Sequence, residues 1–159
     1  IDLGRLIHAR LVVTYVSREG GSIGSRADLT QISQLITMLQ SSAAPFNLQT
    51  QGPLYITRIK AADTAKHYPR PYIVSRDSGG SYNVSSSIGG IVGQAPTGLS
   101  TAMYNHLRFE PAPQAAADIE EITVVEVFYF YRPITPLPNF VQNLFPVNGG
   151  ILIGSRAIF

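Results

Sequence analysis

The run from Val124 to Tyr131 constrains the fold of this chain more than any other segment. Nearly all of its residues are β-branched or aromatic, the side chains that favour extended strands. It has no regular polar alternation, which is typical of a strand covered on both faces. We therefore predict that the segment from Ile119 to Tyr131 holds the central strand of a sheet.

Other strand signals lie on both sides of this run. Leu54, Ile56 and Ile59 come close to alternation, and Tyr72 to Val74 form a second short β-rich segment, so a hairpin with an irregular tip is predicted. Three weaker expectations complete the pattern: a turn at Asp77-Ser78-Gly79-Gly80, a short strand from Tyr82 to Val84, and a closing strand from Ile151 to Phe159.

Helical periodicity appears in two segments that precede the strands. The first runs from about Asp2 to Glu19, and Gly20 and Gly21 are expected to end it. The second starts with capping-box spacing at Asp28 and carries one apolar stripe: Leu29, Ile32, Leu35, Ile36 and Leu39. Two short helices are also expected, one capped by Thr97 or Ser100 and one turn at Phe140 to Phe145.

Helices followed by strands predict an α+β fold, with helices on one face of an antiparallel sheet of about four strands. The length of 159 residues favours a single domain, with an N-terminal helix over residues 1–23 and a globular head over 24–159. No segment has the 18 or so apolar residues of a membrane span. The helical pattern begins at Leu3 without a cap, so we expect a fraying first turn and a preceding segment.

The sequence offers no constellation of catalytic or metal-binding residues. There is no cysteine, which excludes disulfides, thiolate metal sites and a cysteine nucleophile. His8, His67 and His106 stand in no catalytic frame. Gly89 to Gly93 lacks the Lys-Ser/Thr of a phosphate-binding loop, and the charged residues form no basic stripe. We therefore predict no enzymatic activity, cofactor, metal, small-molecule substrate or nucleic-acid partner.

The N-terminal segment IDLGRLIHAR, continued by SREG at 17–20, resembles the signature of TadE/TadF-like proteins of bacterial tight-adherence pili. The residues that match the family pattern are Asp2, Gly4, Arg5, Ala9, Arg10, Arg18, Glu19 and Gly20. Looser similarity continues at Leu54 to Ile59, Tyr72 to Arg76, Val125 to Pro133 and Ser155 to Phe159. The resemblance does not separate TadE from TadF.

This resemblance implies a minor pilin or pseudopilin of a tight-adherence (Flp-type) pilus. Its partners would be other pilus subunits, the inner-membrane assembly platform and, through an upstream hydrophobic helix, the membrane itself. The head would lie in the periplasm, with entry into the extracellular filament left open. Asp2 to Glu19 would continue the membrane helix, and its arginines would reach lipid head groups or acids on neighbouring subunits.

Two other function classes remain open at this point. A periplasmic or pilus-tip binding module, such as an adhesin, would need a deep pocket lined by tyrosines such as Tyr55, Tyr72, Tyr82 or Tyr104. A hydrolase would need polar groups that converge around His67 or His106. A sheet without such a pocket would favour assembly.

Overall fold

A computed structural model describes residues 2–63, 67–107, 119–134 and 149–159 of the chain. The helices are α1 (Asp2–Gly24), α2 (Ile32–Ser42, preceded by a 3₁₀ turn at Leu29–Gln31), α3 (Leu48–Gln51) and α4 (Thr101–His106). The strands are β1 (Leu54–Lys60), β2 (Tyr72–Gly79), β3 (Glu121–Tyr131) and β4 (Ile151–Ile158). They form one antiparallel sheet in the order β2-β1-β3-β4. The predicted α+β class is confirmed.

Strand β3 is central, as its composition predicts, because it pairs with β1 on one side and β4 on the other. Alternate side chains of β3 enter two separate apolar clusters. Val125 and Val127 face the helices, whereas Ile122 and Val124 face the opposite side. Both faces of β3 are therefore covered, which explains why its sequence lacks a polar alternation.

Helix α1 packs along β3 and β4 through small and β-branched residues. Its buried residues are Ala9, Val13, Val16, Ser17, Gly20, Gly21 and Gly24. The expectation that Gly20 and Gly21 end the helix is wrong. A Cβ atom on Gly20 would lie 2.7 Å from Leu39 Cδ1, so this glycine allows close packing in mid-helix. The helix ends at Gly24, whose carbonyl accepts a 2.9 Å hydrogen bond from Arg58 Nη2.

Helix α2 covers the same face of the sheet as α1. Ile32, Leu35, Ile36 and Leu39 are buried in the shared cluster, as predicted. Leu29 is an exception, because it lies in the 3₁₀ turn and is exposed to solvent. The predicted capping box of Asp28 and Gln31 is present.

The other face of the sheet is covered by residues 81–100, which we call the covering loop, and by α4. Ile88 from this loop and Leu107 after α4 are fully buried against Ile59 and Val124. The predicted strand from Tyr82 to Val84 is not formed. The predicted turn at Asp77 to Gly80 is also wrong, since β2 continues through Gly79.

Two further sequence expectations have separate outcomes. Of the two predicted caps, Thr97 and Ser100, the structure shows Ser100. Its hydroxyl accepts a hydrogen bond from the Met103 N–H at 3.3 Å at the start of α4. The expected helical turn at Phe140 to Phe145 lies outside the described residues.

Candidate assembly surface

The outward side of α1 carries a second apolar stripe, which nothing in the described part of the chain covers. Leu3, Ile7, Leu11 and Tyr15 are spaced four residues apart and are 69%, 52%, 63% and 61% exposed. Residues four apart on a helix lie on one face, so these side chains form a continuous band. We call these four residues the outer stripe. Helices in water ordinarily place polar residues on such a face.

In the sequence, Leu3 and Ile7 belong to one predicted apolar pattern with Val13 and Val16. The structure separates them, because Val13 and Val16 face the sheet and Leu3 and Ile7 face solvent. The signal was present in the spacing, since positions 3, 7, 11 and 15 form one series and positions 9, 13 and 16 form another. An apolar pattern on two sides of one helix indicates two packing partners.

The structure distributes the residues of the family-like signature over both sides of α1. Gly4, Arg5, Arg10 and Arg18 are exposed, whereas Ala9 and Gly20 are buried against the sheet; Asp2 and Glu19 are partly buried. Arg10 and Arg18 follow Ile7 and Tyr15 by three residues and so lie beside the outer stripe, whereas Arg5 lies on the side of α1 that is near Tyr129. The surface is therefore apolar and basic, and it would suit a partner that offers apolar and acidic groups.

Gly4 is unlike the buried glycines of α1. A Cβ atom at this position would meet nothing within 4 Å, so no contact with the residues that the structure describes requires glycine there. Glycine is nevertheless unfavourable in a helix relative to alanine by about 0.5–1 kcal/mol. Gly4 lies between Leu3 and Ile7 and leaves a bare stretch of backbone, which would allow a neighbouring helix to approach closely.

The N-terminal turn of α1 is held by the end of β3. The Tyr131 hydroxyl donates to Asp2 Oδ1 at 3.0 Å, and the Ile134 N–H donates to the same oxygen at 3.1 Å. These bonds hold Asp2 itself, and the expected fraying of the first turn remains a prediction. Asp2 thus ties the start of α1 to the sheet.

Two tyrosines beside this contact have altered acidity. Burial raises the pKa of the Tyr131 phenol above its ordinary value, and the hydrogen bond to Asp2 raises it further. Burial also raises the pKa of Tyr129, although Arg5 acts in the opposite direction. Tyr129 donates to Gln51 Oε1 at 2.8 Å. Both phenols are thus neutral hydrogen-bond donors at ordinary pH.

A groove lies between α1 and the outer edge of the sheet. It has a volume of about 320 Å³ and is lined mainly by apolar groups. Leu6, Ile7 and Arg10 line it from α1, and Ile151 to Gly154 line it from β4. We call it the α1–β4 groove. It adjoins the outer stripe at Ile7.

The tyrosines that would line the pocket of a binding module are used for packing instead. Tyr55 donates to the Val84 carbonyl at 2.6 Å, Tyr72 stacks on Tyr68, and Tyr82 stacks on Phe130. None of these three lines the α1–β4 groove or a second, shallower cavity of about 280 Å³ beside Pro45.

A buried polar cluster, which is not predicted from the sequence, holds the covering loop to the sheet. Glu126 is 1% exposed; it accepts a 3.1 Å hydrogen bond from the Ser87 N–H and further bonds from the Ser86 and Ser87 hydroxyls. Arg156 Nη2 lies 3.4 Å from Glu126 Oε1. The only sequence signal is one acid inside an apolar strand. Such an acid needs partners when it is buried.

The described residues contain no group of three or more histidine, aspartate or glutamate side chains placed to hold a metal ion. Among them, no helix is both long enough and apolar enough to cross a membrane. In comparisons with protein-family models, curated proteins and solved structures, none matches this chain.

Proposed function

We propose that this chain is a non-enzymatic structural subunit of a bacterial filament, of the minor-pilin or pseudopilin kind that serves tight-adherence pili. The observation that carries the proposal is the outer stripe of α1. One side of this helix is integral to the core, so its other side is held rigidly towards solvent with Leu3, Ile7, Leu11 and Tyr15 exposed. A rigid apolar helix face is suited to packing against a helix of another subunit.

The surroundings of the stripe support a protein partner. Arg10 and Arg18 are exposed beside it, Arg5 is exposed on the neighbouring side of α1, and Gly4 would permit close approach of a second helix. Charges at the rim of an interface contribute mainly to orientation and association rate, whereas the apolar centre contributes affinity. The arginines would therefore align the subunit with acidic groups of its neighbours.

In this proposal the head lies in the periplasm and a hydrophobic helix ahead of Asp2 anchors it in the inner membrane. The support is the resemblance of residues 1–20 to the pilin-like signature. The assembly platform and other pilus subunits would be its partners.

The test is a pair of substitutions on the stripe in the bacterium that carries the gene. Leu3→Asp with Leu11→Asp should abolish or strongly reduce surface pili, counted by electron microscopy. Both side chains are exposed, so the thermal melting of the purified 159-residue chain should change little. Met38→Asp is the matched control, because Met38 is an exposed apolar residue on α2.

Normal piliation in the double variant, with the protein present at wild-type levels, would contradict the proposal. Normal pili combined with lost adherence would instead favour the adhesin-like binding module.

A further inference from the structure

The two edges of the sheet are protected to different degrees. At the β2 edge, the Ile73 N–H donates to the Gln94 carbonyl at 2.9 Å, and the Ile73 carbonyl accepts from the Gly93 N–H at 2.8 Å. The covering loop thus pairs with this edge at Ile73. Folded proteins commonly cover or blunt the edges of their sheets, because an open edge is a template for a further strand.

Strand β4 forms the other edge and lacks this protection. It is 8 residues long, contains no proline or lysine, and pairs with β3 in a continuous register without a bulge. Its one charged side chain, Arg156, donates to the Gly98 carbonyl at 3.1 Å within the same chain. Helix α1 covers one face of β4, but no strand among the described residues pairs with its outer edge. A long, regular edge of this kind can accept an additional strand.

The register of β4 shows which main-chain groups are available for pairing. The last pair of the ladder, Thr123 and Phe159, exchanges hydrogen bonds of 2.7 and 2.9 Å. Bonded pairs recur at every second position of an antiparallel ladder. The N–H and C=O groups of Ile153 therefore point towards β3, whereas those of Leu152 and Gly154 point away from it.

The same part of the edge forms one wall of the α1–β4 groove. Leu152 and Gly154 line the groove together with Ile151 and Ile153, which pack on the helix side of the sheet. A strand that paired with Leu152 and Gly154 would place the side chain opposite Ile153 on this same side. That side chain would enter the groove. The outward main-chain groups and the apolar groove are therefore complementary to one object, an extended peptide.

We propose that β4 is a strand-addition site, at which an extended segment of a partner protein pairs as a fifth strand and places alternate apolar side chains in the α1–β4 groove. Among the described residues that line the groove, Arg10 has the one charged side chain. The segment should therefore carry an acid that faces Arg10. In this mode of recognition, main-chain hydrogen bonds supply affinity and the alternate side chains supply specificity.

Arg10 also favours such a segment over a second copy of this chain. If two copies paired through β4 with the groove at the centre of the contact, the second α1 would bring its own Arg10 towards the first. Like charges that face each other oppose association. An extended segment without an accompanying helix avoids this repulsion. The site uses the main chain of β4 and depends neither on the outer stripe nor on pilus assembly.

The test begins with a phage-displayed library of random peptides of about ten residues, the length of a long strand. Peptides selected on the purified 159-residue chain should share apolar residues at alternate positions and an acid. When a selected synthetic peptide saturates the chain, the Leu152 and Gly154 amides should exchange with deuterium about tenfold more slowly, because they become hydrogen-bonded. The Ile153 amide, which already bonds to β3, is the internal control and should change much less.

Two variants separate the main-chain contact from the charge contact. Leu152→Pro removes an outward N–H and no hydrogen bond to β3, so it should weaken peptide binding about tenfold in calorimetry. Leu152→Ala, which keeps the N–H, is the matched control and should weaken binding less. Arg10→Glu should also weaken binding about tenfold. A peptide in which lysine replaces the acid should bind Arg10→Glu more tightly than it binds wild type.

Failure of the library to yield a peptide that slows exchange at Leu152 and Gly154 would overturn the proposal. Self-association of the chain without peptide, with the same two amides protected, would show that a second copy occupies the edge and would also overturn it. If Leu152→Pro does not fold, the exchange pattern of the wild-type chain still decides. None of these measurements involves piliation, so strand addition and the proposed function can fail independently.

Discussion

At the scale of single residues, α1 shows how the same amino acid serves different purposes. Gly20 meets Leu39 and Val125, and a side chain there would overlap with them. Gly4 faces open space, and none of the described residues makes a contact that would offset its unfavourable effect on helix stability. The difference between the two positions leads to opposite expectations for the same substitution.

Gly4→Ala should raise the free energy of unfolding by about 0.5–1 kcal/mol, because alanine is the better helix former. The same change should reduce pilus assembly if a neighbouring helix approaches at Gly4. Gly20→Ala, as the matched substitution, should destabilise the chain by about 1–3 kcal/mol through overpacking. Urea denaturation measures both changes, and unaltered piliation in Gly4→Ala would remove Gly4 from the interface.

The phenols of Tyr129 and Tyr131 make stability depend on alkaline pH. Their pKa values are raised in the folded state, so the folded chain retains protons that the unfolded chain loses. The contribution is complete below the ordinary tyrosine pKa of about 10 and declines as pH rises above it. Tyr129→Phe with Tyr131→Phe should flatten this decline, measured by urea denaturation from about pH 9 upwards. An equal decline in wild type and variant would show that other groups cause it.

At the scale of elements, helix α2 depends on one apolar side. Leu35 is buried between α1 and the sheet, whereas Leu29 stands in the preceding turn and is exposed. Leu35→Ala should therefore lower the free energy of unfolding by about 2–5 kcal/mol, and Leu29→Ala should change it little. Chemical denaturation of the two variants gives the comparison, and similar losses at both positions would contradict this packing.

The covering loop is held by polar side chains from all four strands: Tyr55, Arg76, Glu126 and Arg156. Glu126 is the most buried of these charged groups. Its several donors supply the hydrogen bonds that a buried carboxylate needs. The loop is therefore held on this face of the sheet by polar contacts as well as by the buried side chain of Ile88.

Glu126→Gln should destabilise the chain by about 1.5–3 kcal/mol, because it weakens hydrogen bonds to a charged acceptor. The exposed ion pair of Glu121 with Lys60, at 3.5 Å, provides the control. Glu121→Gln should cost less than about 1 kcal/mol. Hydrogen exchange at the covering loop distinguishes local release from global loss of stability, and protection equal to wild type in Glu126→Gln would rule out the holding role.

At the scale of the whole molecule, three layers are ordered as helices, sheet and covering loop. Helix α1 belongs to the core through its inner side and presents its apolar outer stripe, with Arg10 and Arg18 beside it, on the other side. Under the proposed function, folding and assembly would use opposite sides of one helix. Charges on the exposed side can change without loss of the fold.

Arg5→Glu with Arg10→Glu should reduce pilus formation in the full-length protein. Both side chains are exposed, so the melting temperature of the 159-residue chain should remain close to that of wild type. Normal piliation would count against the role of α1 as an assembly surface. A large loss of stability would instead show that these arginines support the core.

The sequence by itself determined the elements whose local pattern is strong. The β-branched run predicted β3 as a central strand, Asp28 and Gln31 predicted the start of the second helical segment, and Ser100 was one of the predicted caps. These signals depend on neighbouring residues in the chain. The assembly function remains a prediction from the resemblance. The exposed outer stripe is the structural observation from which it is argued.

Only the tertiary structure decided where the glycines, acids and exposed apolar residues belong. Gly20 was predicted to end the helix because glycine adopts helix-ending backbone conformations, a property of the residue itself. Its actual role depends on its contact with Leu39, which is distant in the sequence. The partners of Glu126 come from the covering loop and β4, which no periodicity relates. The outer stripe became distinct from the core side only when the sheet selected one side of α1. Packing between elements distant in sequence determined each of these roles, and local propensity does not encode it.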